Sequence, residues 1–207
     1  MSRLPRWLVP GGIHHVTVRG NDRQAIFKDD ADRKAYIREL SDGCEAWRCD
    51  LVAYALMTNH VHLVLQDHRS QLSRLMQILN ARYTRYFNRR HQRVGHLYQG
   101  RFHSRHIDRD EYLLEVTRYV HLNPVRAGIT KNPEDHPWSS YRVYAGLEEP
   151  GTHNVYPDAV WLLMSHDPAR QPALCRQFVL TMTPEQFPAW ERRLQRLRLV
   201  SDTVLAS

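Results

Sequence analysis

The sequence predicts an α+β fold, a ferredoxin-like or RRM-like antiparallel sheet with helices on one face, followed by a small C-terminal helical extension. Three observations carry this. Short β-branched or apolar runs occur at 13–19, 50–57 and 60–66. Longer segments between them repeat their apolar residues at helical spacing. The resulting order, β-α-β-β-α-β-α, is the split βαβ arrangement.

The elements follow in order. Ile13 to Arg19, IHHVTVR, reads as a strand, and Gly20-Asn21-Asp22 as a turn. Asp30 is placed to cap a helix running to about Trp47, with Tyr36, Ile37, Leu40 and Cys44 on one face. DLVAYALM (50–57) and HVHLVLQ (60–66) form a hairpin about Thr58-Asn59. From Ser70 to about Asn88, the spacing of Leu72, Leu75, Leu79, Tyr83 and Tyr86 predicts a long helix. A fourth strand is expected near 102–107. Asp108 with Glu111 reads as a capping box for the next helix, which carries YLLEVTRYVHLN and should stop near Pro124. The turn-rich stretch near 146–154 suggests a boundary, giving a main domain over 1–148 and a helical extension over 149–207. In the extension, Thr183-Pro184-Glu185-Gln186 starts a helix whose apolar stripe is Phe187, Trp190, Leu194 and Leu197.

Composition narrows the class. The 207 residues are 42% hydrophobic and 25% charged, which excludes disorder and collagen-like order. No apolar run reaches the roughly 18 residues of a membrane helix, and MSRLPRWLVPGG lacks a signal-peptide core. Three cysteines do not make a disulfide framework, so a cytoplasmic protein with reduced thiols is expected. The net charge is +7, and only Lys28, Lys34 and Lys131 are lysines, so 26 of 29 cations are arginine. Arginine grips phosphate with two hydrogen bonds and stacks on bases, which points to a polyanionic partner.

Three features carry chemistry. His60 and His62 start the third strand two residues apart, so their imidazoles share a face. Such a pair either shares a metal ion or makes ordinary strand-face hydrogen bonds. Tyr119 and Asn123 stand four apart on one helix face. The tyrosine there is a nucleophile or a core residue; as a nucleophile it needs a base or a metal-activated electrophile, and the Asn123 oxygen is then a third ligand. Finally, residues 69–109 hold ten arginines and one acid, Asp108, interleaved with Tyr83, Tyr86, Phe87, Tyr98 and Phe102. Within and beside this segment Arg89, Arg90, Arg93, Arg101 and Arg105 are candidate phosphate contacts, joined by Asn21 and Arg23 from the first turn. His14 and His15 read as sheet-surface residues or DNA contacts, and His103 and His106 as shaping the groove rather than binding metal.

YALMTNHVHLVL with its His-Val-His pair, together with RYVHLNPVRAG, resembles the single-tyrosine HUH transposases. The IHHVTVRGN opening and the WSSY segment are similar to the REP-associated tyrosine transposases within that superfamily. The resemblance covers roughly residues 11–145. It implies that His60 and His62 are metal ligands for Mg²⁺ or Mn²⁺, and that Tyr119 is a nucleophile giving a 5′-phosphotyrosine intermediate and a free 3′-OH. It implies a single-stranded DNA partner carrying a hairpin, such as a REP-like palindrome, handled by a monomer or homodimer. Relatives often carry glutamine where this chain has Asn123, one methylene shorter; Asn59, Glu115 or water are the other sources of a third oxygen. The competing expectation is a non-catalytic nucleic-acid-binding module on the same sheet. A zinc hydrolase is disfavoured because no HExxH pattern occurs.

Overall fold

The computed structural model describes residues 10–200. Residues 1–9 and 201–207 lie outside the described residues, and with them most of the N-terminal stretch read above for a leader and the end of the extension. Among the described residues no helix is long and apolar enough to cross a membrane.

Strands β1 (Gly12–Arg19), β2 (Cys49–Leu56), β3 (His60–Asp67) and β4 (His103–Ile107) form one antiparallel sheet in the order β2-β3-β1-β4. Connectivity explains the order. Helix α1 (Asp30–Trp47) carries the chain from β1 to β2, leaving a gap that the tight hairpin fills with β3. Helix α2 (Leu72–Arg90) then returns the chain to the free edge of β1, where β4 adds.

Strand alternation divides the sheet into two faces. Val16, Val18, Val61, Leu63 and Leu65 point one way and are buried in the core that α1 and α2 cover. Gly43 permits the close approach of these two helices, since a Cβ there would stand 2.5 Å from Leu75 Cδ1. Carboxylates set the helix starts. Asp29, rather than the expected Asp30, caps α1, its side chain accepting from the Asp32 amide at 3.1 Å. Buried Asp67, the last residue of β3, accepts from the amides of Gln71 (2.8 Å) and Leu72 (2.9 Å) and so fixes where α2 begins.

His15, Thr17, Arg19, His60, His62 and Val64 point to the opposite face. Helix α3 (Asp110–Arg126) packs there, against β2, β3 and β4. Ala53 and Ala55 of β2 share this face, and their small side chains leave room for a helix. Helices on one face is thus the arrangement of α1 and α2 only; α3 makes a third layer, because its apolar face seals the side on which the histidines lie. Its N-cap is Arg109, with no side-chain cap bond, so the Asp108–Glu111 capping box does not form. Pro124 lies inside α3, which runs two residues further than expected. Proline near a helix end breaks only one late backbone bond, and the chain tolerates it.

Residues 138–140 line the outer edge of β2. The Leu56 amide donates to the Trp138 carbonyl (2.8 Å) and the Ser140 amide to the Tyr54 carbonyl (3.0 Å), which covers an otherwise open sheet edge. Helices α4 (Tyr141–Tyr144), α5 (Asp158–Met164) and α6 (Gln171–Leu180) follow, with α5 and α6 against α3. The helix start expected at Thr183–Gln186 is made by a capping box between these two residues, which leads into α7 (Phe187–Arg196); Trp190 and Leu194 are buried while Leu197, just past the helix, is exposed.

Candidate active site

The antiparallel register brings the histidines together. Thr17 pairs with His62 and Arg19 with His60 across the β1–β3 ladder, so His15 lies diagonally beside His62 on the same face. The His60 and His62 rings meet edge to face at 5.0 Å. His62 Nδ1 is 3.0 Å from His15 Nε2, and His15 Nδ1 is 3.0 Å from the Leu199 carbonyl. His60 Nδ1 is 2.6 Å from Asn59 Oδ1.

Helix α3 supplies the phenol. The Tyr119 ring stands edge-on to His62 at 5.4 Å and to His15 at 6.0 Å. Tyr119, His60 and His62 thus lie in one cluster. Asn123 is one turn on, but its carboxamide is engaged: its nitrogen donates to the Tyr119 carbonyl at 2.7 Å and its oxygen accepts from Arg126 at 3.0 Å. The alternative oxygens are engaged too. Asn59 holds His60, and Glu115 accepts from Arg118 (2.7 Å) and the Trp190 indole (2.6 Å).

The electrostatics favour neutral imidazoles. Burial, with help from Arg19 and Arg126, pushes His60 down to about 3, and burial with the neighbouring His60, His15 and Arg126 holds His62 well below its ordinary value. Burial likewise lowers His15 to about 4. Desolvation raises the Tyr119 phenol, while the Arg126 guanidinium, 4.8 Å from its ring, and Asn123 pull it back. Neutral imidazoles present lone pairs, the state in which histidine binds metal. The Nδ1 contacts of both histidines leave Nε2 as the nitrogen that could coordinate a metal, and His62 Nε2 is buried with no hydrogen-bond partner. On this observation two imidazoles fit a divalent cation. A complete protein cage is not formed: among the described residues no group of three or more His, Cys, Asp or Glu side chains is arranged to hold one.

The site is covered. Tyr119 is 0% exposed. The Trp190 ring of α7 lies 5.8 Å from the Tyr119 ring, Glu191 pairs with Arg126, and Arg118 sits between the rings of Phe178 and Trp190. Sequence reasoning did not find His15, Arg126 or Trp190. A signal existed for Arg126, which is seven residues from Tyr119 and returns to the same helix face.

The expected DNA contacts divide. The 20–24 turn, the 91–101 loop and the start of β3 converge at one end of the sheet. The Gly20 amide donates to the Asn59 carbonyl (2.8 Å), the Asn59 side chain to the Arg23 carbonyl (3.1 Å), and Arg93 to Gln24 (2.7 Å). Only glycine fits at position 20, because a Cβ would stand 2.2 Å from the Gln24 carbonyl oxygen. Asn21 and Arg101 line one groove of about 550 Å³, together with Asn80, Thr84 and His96. Arg105, exposed on β4, pairs in register with His15 and so faces the histidine side. Arg89 is exposed at the end of α2. Arg90 is engaged instead in structure, bonding Asp29 at 2.7 Å and buried Asp32 at 2.5 Å. His14 is buried on the α1–α2 side of the sheet, beside exposed His106.

A family model described as IS200-like transposase matches residues 9–123, more than half of the chain. The chain belongs to the IS200-like transposase family. Within this family the matched region contains all four strands, both site histidines and Tyr119, whereas Arg126, Trp190 and Leu199 lie beyond it. A curated relative from Haemophilus influenzae, named a REP-associated tyrosine transposase, is 27% identical in an alignment of 156 residues that covers 68% of this chain and 86% of the relative. The solved structure of a REP-associated tyrosine transposase bound to a REP hairpin superposes with a TM-score of 0.59 at 19% identity, over 77% of this chain and 93% of that one. That likeness concerns the fold, and it agrees with the α+β arrangement of this IS200-like transposase.

Proposed function

We propose that this protein cleaves and rejoins single-stranded DNA, with Tyr119 as nucleophile, beside a hairpin of the REP-like palindromic kind. The observation that carries the reading is the edge-on placement of Tyr119 against His62, with His60 adjacent, by elements far apart in sequence. His60 and His62 would hold Mg²⁺ or Mn²⁺ through Nε2, and phosphate and water oxygens would complete its shell. When bound, the cation supplies charge stabilisation for the scissile phosphate.

The chain's own residues do the rest. Tyr119 oxygen attacks phosphorus in line and forms a phosphotyrosine bond to the 5′ side. The phenol proton passes to solvent, and Arg126 stabilises the phenolate that attacks. The P–O3′ bond breaks, and the departing oxygen takes a proton to become a 3′-OH. Phosphodiester energy is retained in the tyrosyl bond, so a 3′-OH can reverse the step without an external energy source. Arg105 on the histidine side and Asn21, Arg23, Arg93 and Arg101 at the adjoining end of the sheet would guide the strand.

The test is covalent capture. Incubation with a hairpin-bearing single-stranded oligonucleotide and Mn²⁺ should yield a protein–DNA adduct that survives denaturing electrophoresis. Tyr119→Phe should abolish the adduct and leave binding largely intact. Binding-only function has one observation in its favour, the complete burial of Tyr119. Binding that persists with no adduct from any hairpin substrate would select it.

A further inference from the structure

We propose that His15 is a positioning residue: it fixes His62 as the Nδ1–H tautomer, so that the His62 Nε2 lone pair faces the metal position, with the Leu199 carbonyl setting the direction of the relay. The inference rests on the metal reading above.

The argument begins at the far end of the chain of contacts. A backbone carbonyl only accepts hydrogen bonds, so His15 Nδ1, 3.0 Å from the Leu199 oxygen, carries a proton. A neutral imidazole has one N–H, so His15 Nε2 is left as an acceptor. The atom it faces at 3.0 Å is His62 Nδ1, which must donate. His62 is then left with a bare Nε2, and this nitrogen is the one that is buried with no partner in the structure. His60 reaches the same state independently, donating from Nδ1 to the Asn59 side-chain oxygen at 2.6 Å. Two different supporting residues therefore leave Nε2 of both histidines without a proton. The near-parallel His15 and His62 rings, 11° apart, also restrain rotation of the His62 ring. Metal-ligating histidines commonly donate their other N–H to an orienting group. Here that group is itself a histidine, anchored to the C-terminal extension 184 residues away in sequence.

The decisive measurement uses the metal-free full chain. Long-range ¹H–¹⁵N correlation of histidine-labelled protein reports which nitrogen of each buried imidazole carries its proton. His62 should appear as the Nδ1–H form. In His15→Leu, which removes the acceptor, His62 should move toward the Nε2–H form. His15→Gln should restore the wild-type signature, because its carboxamide can donate to Leu199 and accept from His62. Mn²⁺ affinity, titrated by paramagnetic resonance, should fall roughly 10–100-fold in His15→Leu and recover most of that loss in His15→Gln. An Nε2–H signature for His62 in the wild type overturns the proposal, even if His15→Leu does not fold. So does a folded His15→Leu with unchanged tautomer and affinity. Failure of the wild type to bind Mn²⁺ removes the metal reading, while the tautomer of His62 still judges His15 by itself.

Discussion

At the scale of single residues, the sheet buries histidines that are neutral for want of solvent. Burial lowers His14 and His15 to about 4 and His60 and His121 to about 3, from an ordinary 6.5. The unfolded chain binds these protons near 6.5 and the folded chain refuses them. Stability is therefore intact above about 6.5 and falls with pH from there toward the folded values near 4 and 3. Each histidine that stays neutral costs about 1.4 kcal/mol per pH unit in this window. Urea midpoints measured across it should drop steeply, and a flat profile would mean these rings are charged or accessible. Arg126 is the second residue with a distinct consequence. Its guanidinium faces the Tyr119 ring, so Arg126→Gln should slow adduct formation by on the order of 10²-fold while DNA affinity changes little. A rate equal to wild type would show that the phenolate is stabilised by something else.

At the scale of elements, α7 is the one that matters most for access. A phenol with 0% exposure cannot meet a phosphorus atom, so the proposed reaction requires α7 or α3 to move first. The Trp190 indole bond to Glu115 (2.6 Å) and the Glu191–Arg126 pair are what hold α7 down. Trp190→Ala should therefore make Tyr119 nitratable by tetranitromethane, as read by peptide mass spectrometry, and should raise the initial rate of adduct formation. Tyr119 that remains protected in this variant would place the opening elsewhere. Much of this element structure was legible in sequence, because strands rich in β-branched residues and helices with regular apolar spacing declare themselves locally. The shared face of His60 and His62 was legible from two-residue spacing on a strand, but that Tyr119 belongs beside them was indicated only by the family resemblance of the two motifs. What stayed hidden was long-range. His15 meets His62 from 47 residues away and Leu199 from 184 away, and no local pattern encodes a register or a tail's resting place. The third layer was missed for the same reason. Which side of a sheet a helix takes is decided by what both faces still need buried, and here a face lined by histidines and two alanines needed α3.

At the scale of the whole molecule, the net charge of +7 is the property a nucleic acid meets first, and the fold decides which arginines express it. Arg90 shows why a count in sequence overstates the binding surface: its fork is taken up by Asp29 and by Asp32, which is fully buried beside His91. Arg101 and Arg105 have exposed side chains, one in the groove beside Asn21 and one on the edge strand facing the histidine side. Their roles separate in salt. Each phosphate neutralised on a single strand adds about −0.7 to the slope of log affinity against log salt concentration. Arg101→Ala and Arg105→Ala should each flatten that slope by about this amount for a single-stranded oligonucleotide, with thermal stability unchanged. Arg90→Ala should leave the slope as it is and lower the thermal midpoint, since it leaves the Asp32 carboxylate buried without its guanidinium, with the His91 ring and the Lys28 amide as hydrogen-bond partners. The opposite pattern, with Arg90 setting the slope and Arg101 and Arg105 silent, would move the DNA path off the histidine side of the sheet, where Arg105 lies, to the side covered by α1 and α2. It would also detach the strand from Tyr119, since the only exposed arginine of the edge strand facing the histidines would then carry none of the contact.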